Sequence, residues 1–217
     1  MAVLWLALAG SALADPPPDP FKLYGGDIVF SVWRKGDEIG EHRVTFAHQD
    51  GGFTVRSTLK LAVKFLGIVV YRFNYESNEV WRDGMLASLD ASQDDNGTVS
   101  KVTARRTGDT LDVTGPKGHE TVTGAILPST HWNPQTIAAD QLLNTLDGTI
   151  SKVKLMSQGT ESVPVGAGRV QATHYLYTGD IKAESWYDAA GHWVKLRFPG
   201  KDGSEIDYVC VACGAKP

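Results

Sequence analysis

Residues 59–75 read LKLAVKFLGIVVYRFNY, and this stretch decides the fold class. Leu59, Leu61, Val63 and Phe65 alternate with Lys60, Ala62 and Lys64. Successive side chains of a strand point to opposite faces, so this run has one apolar face and one basic or small face. Val69, Tyr71, Phe73 and Tyr75 form a second stripe against Val70, Arg72 and Asn74. Gly67 separates the two runs, and a bulge or a sharp bend is the physical reading of a glycine there. The period of two continues outward. Ile28, Phe30 and Val32 carry it upstream. Val170, Ala172, His174 and Leu176 carry it downstream, then His192, Val194, Leu196 and Phe198, and finally Ile206, Tyr208 and Cys210.

Turn signals pace these runs: Asp83-Gly84, Asn96-Gly97, Gly108-Asp109, Lys117-Gly118, Gly179-Asp180 and Asp202-Gly203. Each supplies a residue that accepts the positive φ of a tight hairpin. The spacing predicts an antiparallel meander, because parallel strands need long crossover helices for which the chain has no room. One helix is predicted after Asn133 as cap and Pro134 as first residue. Ile137, Ala138, Gln141, Leu142 and Thr145 share a face, and Gly148 is the stop. A helix of about a dozen residues is about 18 Å long and cannot cover ten or so strands. The predicted fold is therefore mostly β: a curved antiparallel sheet, a half-barrel or barrel, with one helix packed in or on its opening.

Composition excludes several classes. The chain has 217 residues, of which 42% are hydrophobic, and a net charge of −4. That balance fits neither a disordered chain nor a nucleic-acid binder with a basic stripe. Two cysteines are too few for a disulfide scaffold or a four-cysteine zinc site. Residues 1–14 read as a signal peptide. The apolar run is too short to span a bilayer, and Ala12 and Ala14 have the spacing a signal peptidase reads. Residues 15–23, opening DPPPDP, read as a Pro-rich tether that cannot enter a helix or a central strand. Residues 24–217 then form a single β-rich domain with no transmembrane segment, and the expected location is periplasmic or secreted.

No constellation demands catalysis. There is no nucleophile elbow, glycine-rich phosphate loop or HExxH motif. His42 and His48 share a predicted strand face about 20 Å apart, too far to share an ion. His131, His174 and His192 form the trio that strand pairing could gather, although no spacing requires it. Residues 92–97, SQDDNG, match the opening of a calcium loop, but its twelfth position is Thr103 rather than a bidentate Glu. A hairpin turn explains them better. No metal or cofactor is indicated. Cys210 and Cys213 lie about 10 Å apart in an extended strand, so they form a disulfide only if the chain turns after Tyr208. The aromatic residues Tyr71, Phe73, Tyr75, Trp81, Trp132 and Trp186, with His131, are the candidate ligand-binding set. Aromatics at strand spacing ordinarily pack as core; the functional reading is the lining of an apolar cavity.

Three segments carry a family resemblance: Ile39-Gly40-Glu41-His42-Arg43, Ser129-Thr130-His131-Trp132-Asn133, and residues 168–188, ending Trp186-Tyr187-Asp188. Together they resemble an exported bacterial family of unknown function, the DUF6134-like proteins, related to DUF3108-like envelope proteins. The resemblance spans nearly the whole chain after the tether and implies a structural pattern without a mechanism. The terminal CVAC departs from it. The half-barrel shape is also similar to lipoprotein carriers that hold acyl chains against an open sheet. Three functions follow as expectations. The first is binding of an apolar or lipid-like small molecule. The second is an envelope protein-interaction module working by strand addition. The third is a hydrolase or isomerase whose His131, His174, His192, Asp188 and Glu184 converge at one rim. The first is preferred, with no nucleic-acid partner.

Overall fold

The computed structural model of the protein describes residues 16–216. The expected signal peptide lies outside the described residues. A one-turn helix, α1 (Pro20–Tyr24), comes first. The Asp19 side chain accepts from Phe21 N at 3.0 Å, and Pro20 sits at the helix start. This corrects the expected 15–23 tether. A first-turn proline has no amide to lose, so the proline-rich stretch ends in a helix and does not stay extended throughout.

The first eight strands form a meander: β1 (Ile28–Arg34), β2 (Asp37–Gln49), β3 (Gly52–Phe65), β4 (Ile68–Arg82), β5 (Met85–Asp95), β6 (Thr98–Thr107), β7 (Thr110–Gly115) and β8 (Gly118–Thr123). Two short strands follow, β9 (Leu127–Pro128) and β10 (Gln141–Leu143). The chain ends with β11 (Ile150–Val165), β12 (Gly168–Gly179), β13 (Glu184–Asp188), β14 (Trp193–Pro199) and β15 (Glu205–Ala212). All fifteen belong to one sheet, in the order β8 back to β1, then β15 back to β9. The first and last of the described strands thus pair in its middle. The SQDDNG stretch is the end of β5 and the Asn96-Gly97 hairpin turn to β6, with Asn96 at φ 52°. No helix among the described residues is long and apolar enough to cross a membrane.

The curl follows from connectivity. The edge strands β8 and β9 are consecutive in the chain, so Thr123 and Leu127 lie at most about 14 Å apart. A flat sheet of this many strands would be about 67 Å wide. The sheet must therefore bend until its edges approach. Beside this seam, Lys117 N donates to Asp147 O at 3.3 Å. A second, smaller curl folds the β11–β12 hairpin over β15, where Val165 pairs with Cys210 and Gly166 N donates to Cys210 O at 2.9 Å.

The mostly-β curved sheet is as read from the sequence, but its helix is not. Asn133 Oδ1 does cap Gln135 N at 2.9 Å. The turn it starts is a 3₁₀ segment, Pro134–Ala138, ending with Ala139 in an extended conformation. Gln141, Leu142 and Leu143 instead pair with Lys152, Ser151 and Ile150 of β11. Leu142 and Leu143 are both fully buried, which on a strand requires cover on both faces. Helical periodicity over 137–145 was therefore a coincidence of a strand buried on both sides. The part expected of the helix falls to irregular chain: residues 129–133 and 144–147 fill one end of the curled sheet. Gly67 is likewise neither a bulge nor a bend in a continuing strand. With Leu66 at φ 50° and Gly67 at φ 82°, it makes the two-residue reversal between β3 and β4.

Gly40 in β2 is a packing requirement. A Cβ there would lie 1.8 Å from the Lys60 carbonyl oxygen on β3. Gly40→Ala should therefore lower stability by about 3 kcal/mol, the upper end of overpacking costs, by forcing apart β2 and β3. Gly26→Ala, which meets nothing within 4 Å, should change little. Urea unfolding of both variants checks this; equal midpoints would refute it.

Candidate functional site

The curled sheet encloses a cavity of about 800 Å³. Its walls are the inward positions of the alternating strands. β3 contributes Leu59, Leu61 and Val63, and β4 contributes Tyr71, Phe73 and Tyr75. The facing wall is Leu196 and Phe198 of β14 with Ile206 and Tyr208 of β15. The 144–147 loop closes one side, held by Tyr75 OH donating to Thr145 Oγ1 at 2.8 Å and Gln93 Nε2 to Leu146 O at 3.2 Å.

The floor is polar. His42 and Ser57 are buried and line the cavity, and neither His42 ring nitrogen nor the Ser57 hydroxyl has a hydrogen-bond partner among the described residues. Phe30, Trp193 and Tyr208 surround the His42 ring at centroid distances of 6.3, 5.5 and 5.3 Å. Burial, with a smaller contribution from His131, pushes the His42 pKa down to about 3, so the ring is neutral. Burial likewise lowers His131 to about 4, and its Nδ1 lies 3.1 Å from Tyr177 OH. His131 has φ 62°, and Trp132 N donates across it to Thr130 O at 2.9 Å. That is a γ-turn with a non-glycine residue at positive φ, a strained arrangement that its surroundings must hold.

A buried carboxylate holds it. Glu79 Oε1 accepts from Thr130 Oγ1 at 2.7 Å, and Oε2 accepts from Trp81 Nε1 at 2.8 Å and Trp132 Nε1 at 3.0 Å. Burial raises the Glu79 pKa while these three donors pull it down. From the other side, Tyr187 OH donates to His131 O at 2.8 Å and Tyr24 OH to Trp132 O at 2.6 Å. The mouth is charged. Lys201, on the β14–β15 turn, pairs with Asp95 at the end of β5, and Arg34 pairs with Asp202. The Lys201 hydrogen bond holds the Asp95 carboxyl below the usual range. Tyr71 OH also donates to Asp95, at 2.8 Å.

Of the residues singled out from sequence, Tyr71, Phe73, Tyr75 and His131 line the cavity, whereas Trp81, Trp132 and Trp186 do not. Trp81 and Trp132 pack edge to face at 5.6 Å behind the floor. Trp186 lies in a separate cluster, sandwiched between His174 at 4.2 Å and Lys195 at 4.1 Å, with its Nε1 donating to Glu161. The expected rim of His131, His174, His192, Asp188 and Glu184 does not assemble. Glu184 sits 2.7 Å from His174 and Asp188 sits 2.6 Å from His192, so each carboxylate holds its own histidine. The two carboxylates are about 13 Å apart along β13. His192 Nε2 is also taken, by Leu23 O at 2.7 Å, which ties α1 to the sheet. Among the described residues, no group of three or more His, Cys, Asp or Glu is placed to hold a metal ion. Cys210 and Cys213 are joined in a disulfide with Cα atoms 6.1 Å apart, the chain turning as β15 ends.

Sequence reasoning weighed His42 only as a metal ligand and passed over Ser57 and Glu79. The signal was present: each is a polar residue at an inward position, between Gly40 and Val44, Val55 and Leu59, and Ser77 and Trp81. A polar residue in an apolar stripe needs either a buried partner or a ligand.

A family model described as a domain of unknown function, DUF6134, matches residues 30–211. The chain belongs to this family. The crystal structure of a beta-barrel-like protein of the DUF1849 domain of unknown function, from Brucella abortus, is similar in fold. Its TM-score is 0.60 at 10% identity, over 88% of this chain and 97% of that one. No curated protein matches the chain. The DUF6134 match spans the cavity walls and the floor together.

The two depressed histidines set an acid limit on this DUF6134 fold. In the unfolded chain each takes a proton below about pH 6.5, but the folded rings stay neutral to about 3 and about 4. Stability present above pH 6.5 is thus lost as pH falls, by about 1.4 kcal/mol per unit for each histidine. Urea unfolding at pH 7.5, 5.5 and 4.5 should show this decline, and His42→Phe should remove about half of it. An unchanged pH slope in His42→Phe would refute the assignment.

Proposed function

We propose that the protein binds an amphipathic, lipid-like molecule in the cavity of its curved sheet, outside the cytoplasm. The observation that carries this reading is an apolar-walled cavity of about 800 Å³ with two polar side chains at its floor that have no partner among the described residues. That volume lies within the range of small-molecule sites. Leaving buried polar groups unpaired costs about 1–3 kcal/mol each, and a ligand that pairs them recovers that cost. Neutral His42 can donate one hydrogen bond and accept one, so the partner is an uncharged group such as a hydroxyl or an ester carbonyl. The rest of the molecule is hydrocarbon, against Leu59, Leu61, Phe73 and Phe198.

The Cys210–Cys213 disulfide supports an oxidising compartment, because such bonds rarely persist in a cytosol. Catalysis has less support. The His–carboxylate pairs lie outside the cavity, and the two histidines that line it, His42 and His131, are neutral and packed among aromatic rings.

Native mass spectrometry of protein purified from a bacterial envelope tests the reading. The wild type should carry a non-covalent adduct that partitions into organic solvent. Leu61→Trp, which fills the cavity from its wall, should lack the adduct and bind the apolar probe N-phenyl-1-naphthylamine at least about tenfold more weakly. His42→Leu should weaken binding by about 1–3 kcal/mol without abolishing it. A wild-type protein with no adduct and no probe binding would sink the proposal.

A further inference from the structure

We propose that the tip of the β3–β4 hairpin docks the protein on an anionic bilayer surface. The hairpin outruns both neighbours. Pairing of β2 with β3 ends at Gly40–Leu61, and pairing of β4 with β5 ends at Phe73–Asp95. Beyond the Asn96 contacts to the Arg72 backbone, residues 62–71 pair with no third strand and extend as a two-stranded ribbon about 15 Å long, its base still held by Val63 and Tyr71. Its end is apolar. Phe65, Leu66, Ile68 and Val70 are 66, 87, 69 and 54% exposed. They are half of the large hydrophobic side chains exposed among the described residues, gathered within six positions. Scattered exposed apolar residues need no explanation, but a contiguous patch marks an interaction surface.

The turn itself points outward. Leu66 holds φ 50° at a position where Asn or Gly is favoured. It makes up for that strain with no burial in this chain. An apolar residue kept in a strained, exposed place meets its partner outside the fold.

The charge pattern selects the partner. Residues 60–72 carry Lys60, Lys64 and Arg72, all exposed, and no acidic residue, in a chain whose net charge is −4. The acids at the ribbon's base are engaged: Asp95 pairs with Lys201, Asp94 accepts from Gly97 N at 2.7 Å, and Glu41, opposite Lys60, pairs with Arg43 at 3.1 Å. Cations beside an apolar tip suit the boundary of an anionic membrane, where each contributes about 1 kcal/mol. The apolar tip enters the headgroup boundary while the cations meet phosphate. Val63, Val70 and Tyr71 also line the cavity, so a docked tip sets the cavity mouth at the lipid surface. That last consequence rests on the ligand-binding reading; the docking does not.

Co-sedimentation with vesicles of phosphatidylglycerol and phosphatidylethanolamine, against phosphatidylcholine, tests the docking. The wild type should bind the anionic vesicles, more weakly as salt rises. Leu66→Glu/Ile68→Glu should lower binding at least about tenfold with an unchanged thermal midpoint, since both side chains are exposed. Lys64→Glu/Arg72→Glu should remove the salt dependence. A Leu66→Trp variant should shift its fluorescence to the blue on anionic vesicles. Absence of wild-type binding, or equal binding by the Glu variant, overturns the proposal. So does a concentration-dependent dimer that the Glu variant abolishes, which would give the tip to a second copy of this chain. Vesicle binding by a protein with an empty cavity removes the ligand reading and keeps the docking; a filled cavity without vesicle binding does the reverse.

Discussion

The Glu79 carboxylate is the point on which the interior of this protein depends. It is fully buried on β4 and accepts from Trp81 on its own strand and from Thr130 and Trp132 on the irregular segment that crosses the barrel. A buried carboxylate without partners would cost several kcal/mol, so the three donors are required as much as they are stabilising. By holding Thr130 and Trp132 they fix the strained γ-turn at His131. The γ-turn in turn aims the His131 ring toward Tyr177 and Trp193. One acidic side chain, with Tyr187 and Tyr24 on the other side of the turn, therefore fixes where His131 enters the cavity.

The cavity exists because of a mismatch between the sheet and its filling. The sheet curls because its two edge strands are joined by three residues, whatever fills it. The filling is a stretch of irregular chain with a single 3₁₀ turn, and it packs one end densely. Trp132 meets Trp81, Phe53 and Phe46 there. At the other end no helix arrives from among the described residues, and the inward side chains of β3, β4, β14 and β15 face one another across open space. The two halves of the sheet are joined where β1 pairs with β15, and His192 and Tyr24 tie α1 onto that junction.

Much of this was legible in the sequence, and the exceptions have identifiable causes. The stripe Tyr71, Phe73, Tyr75 fixed both the strand and the face that became a cavity wall. Asn133 and Pro134 were read correctly as a cap and a first turn. What followed was misread because Ile137, Gln141 and Leu142 fall at helical spacing while Gln141–Leu143 pairs with β11, a partner seven to eleven residues away. Trp81 and Trp132 looked like ligand residues but spend their indole N–H groups on Glu79. Trp186 belongs to another cluster on the far face of β13. His174 and His192 each took the nearest carboxylate instead of converging.

The sequence by itself determined the strands, their hairpins and their inward faces, because alternation and positive-φ turn residues act over a few positions. It also determined that so large a sheet has to curl, since one short helix cannot cover it. Only the tertiary structure decided what fills the curl. The contacts responsible are long-range: Glu79 with Thr130, Tyr187 with His131, Tyr24 with Trp132. Neither residue of such a pair carries a local signal for the other. The same is true of His42 and Ser57, whose isolation is a property of the space around them. Local chemistry specifies elements; the placement of a buried polar group depends on which distant groups reach it.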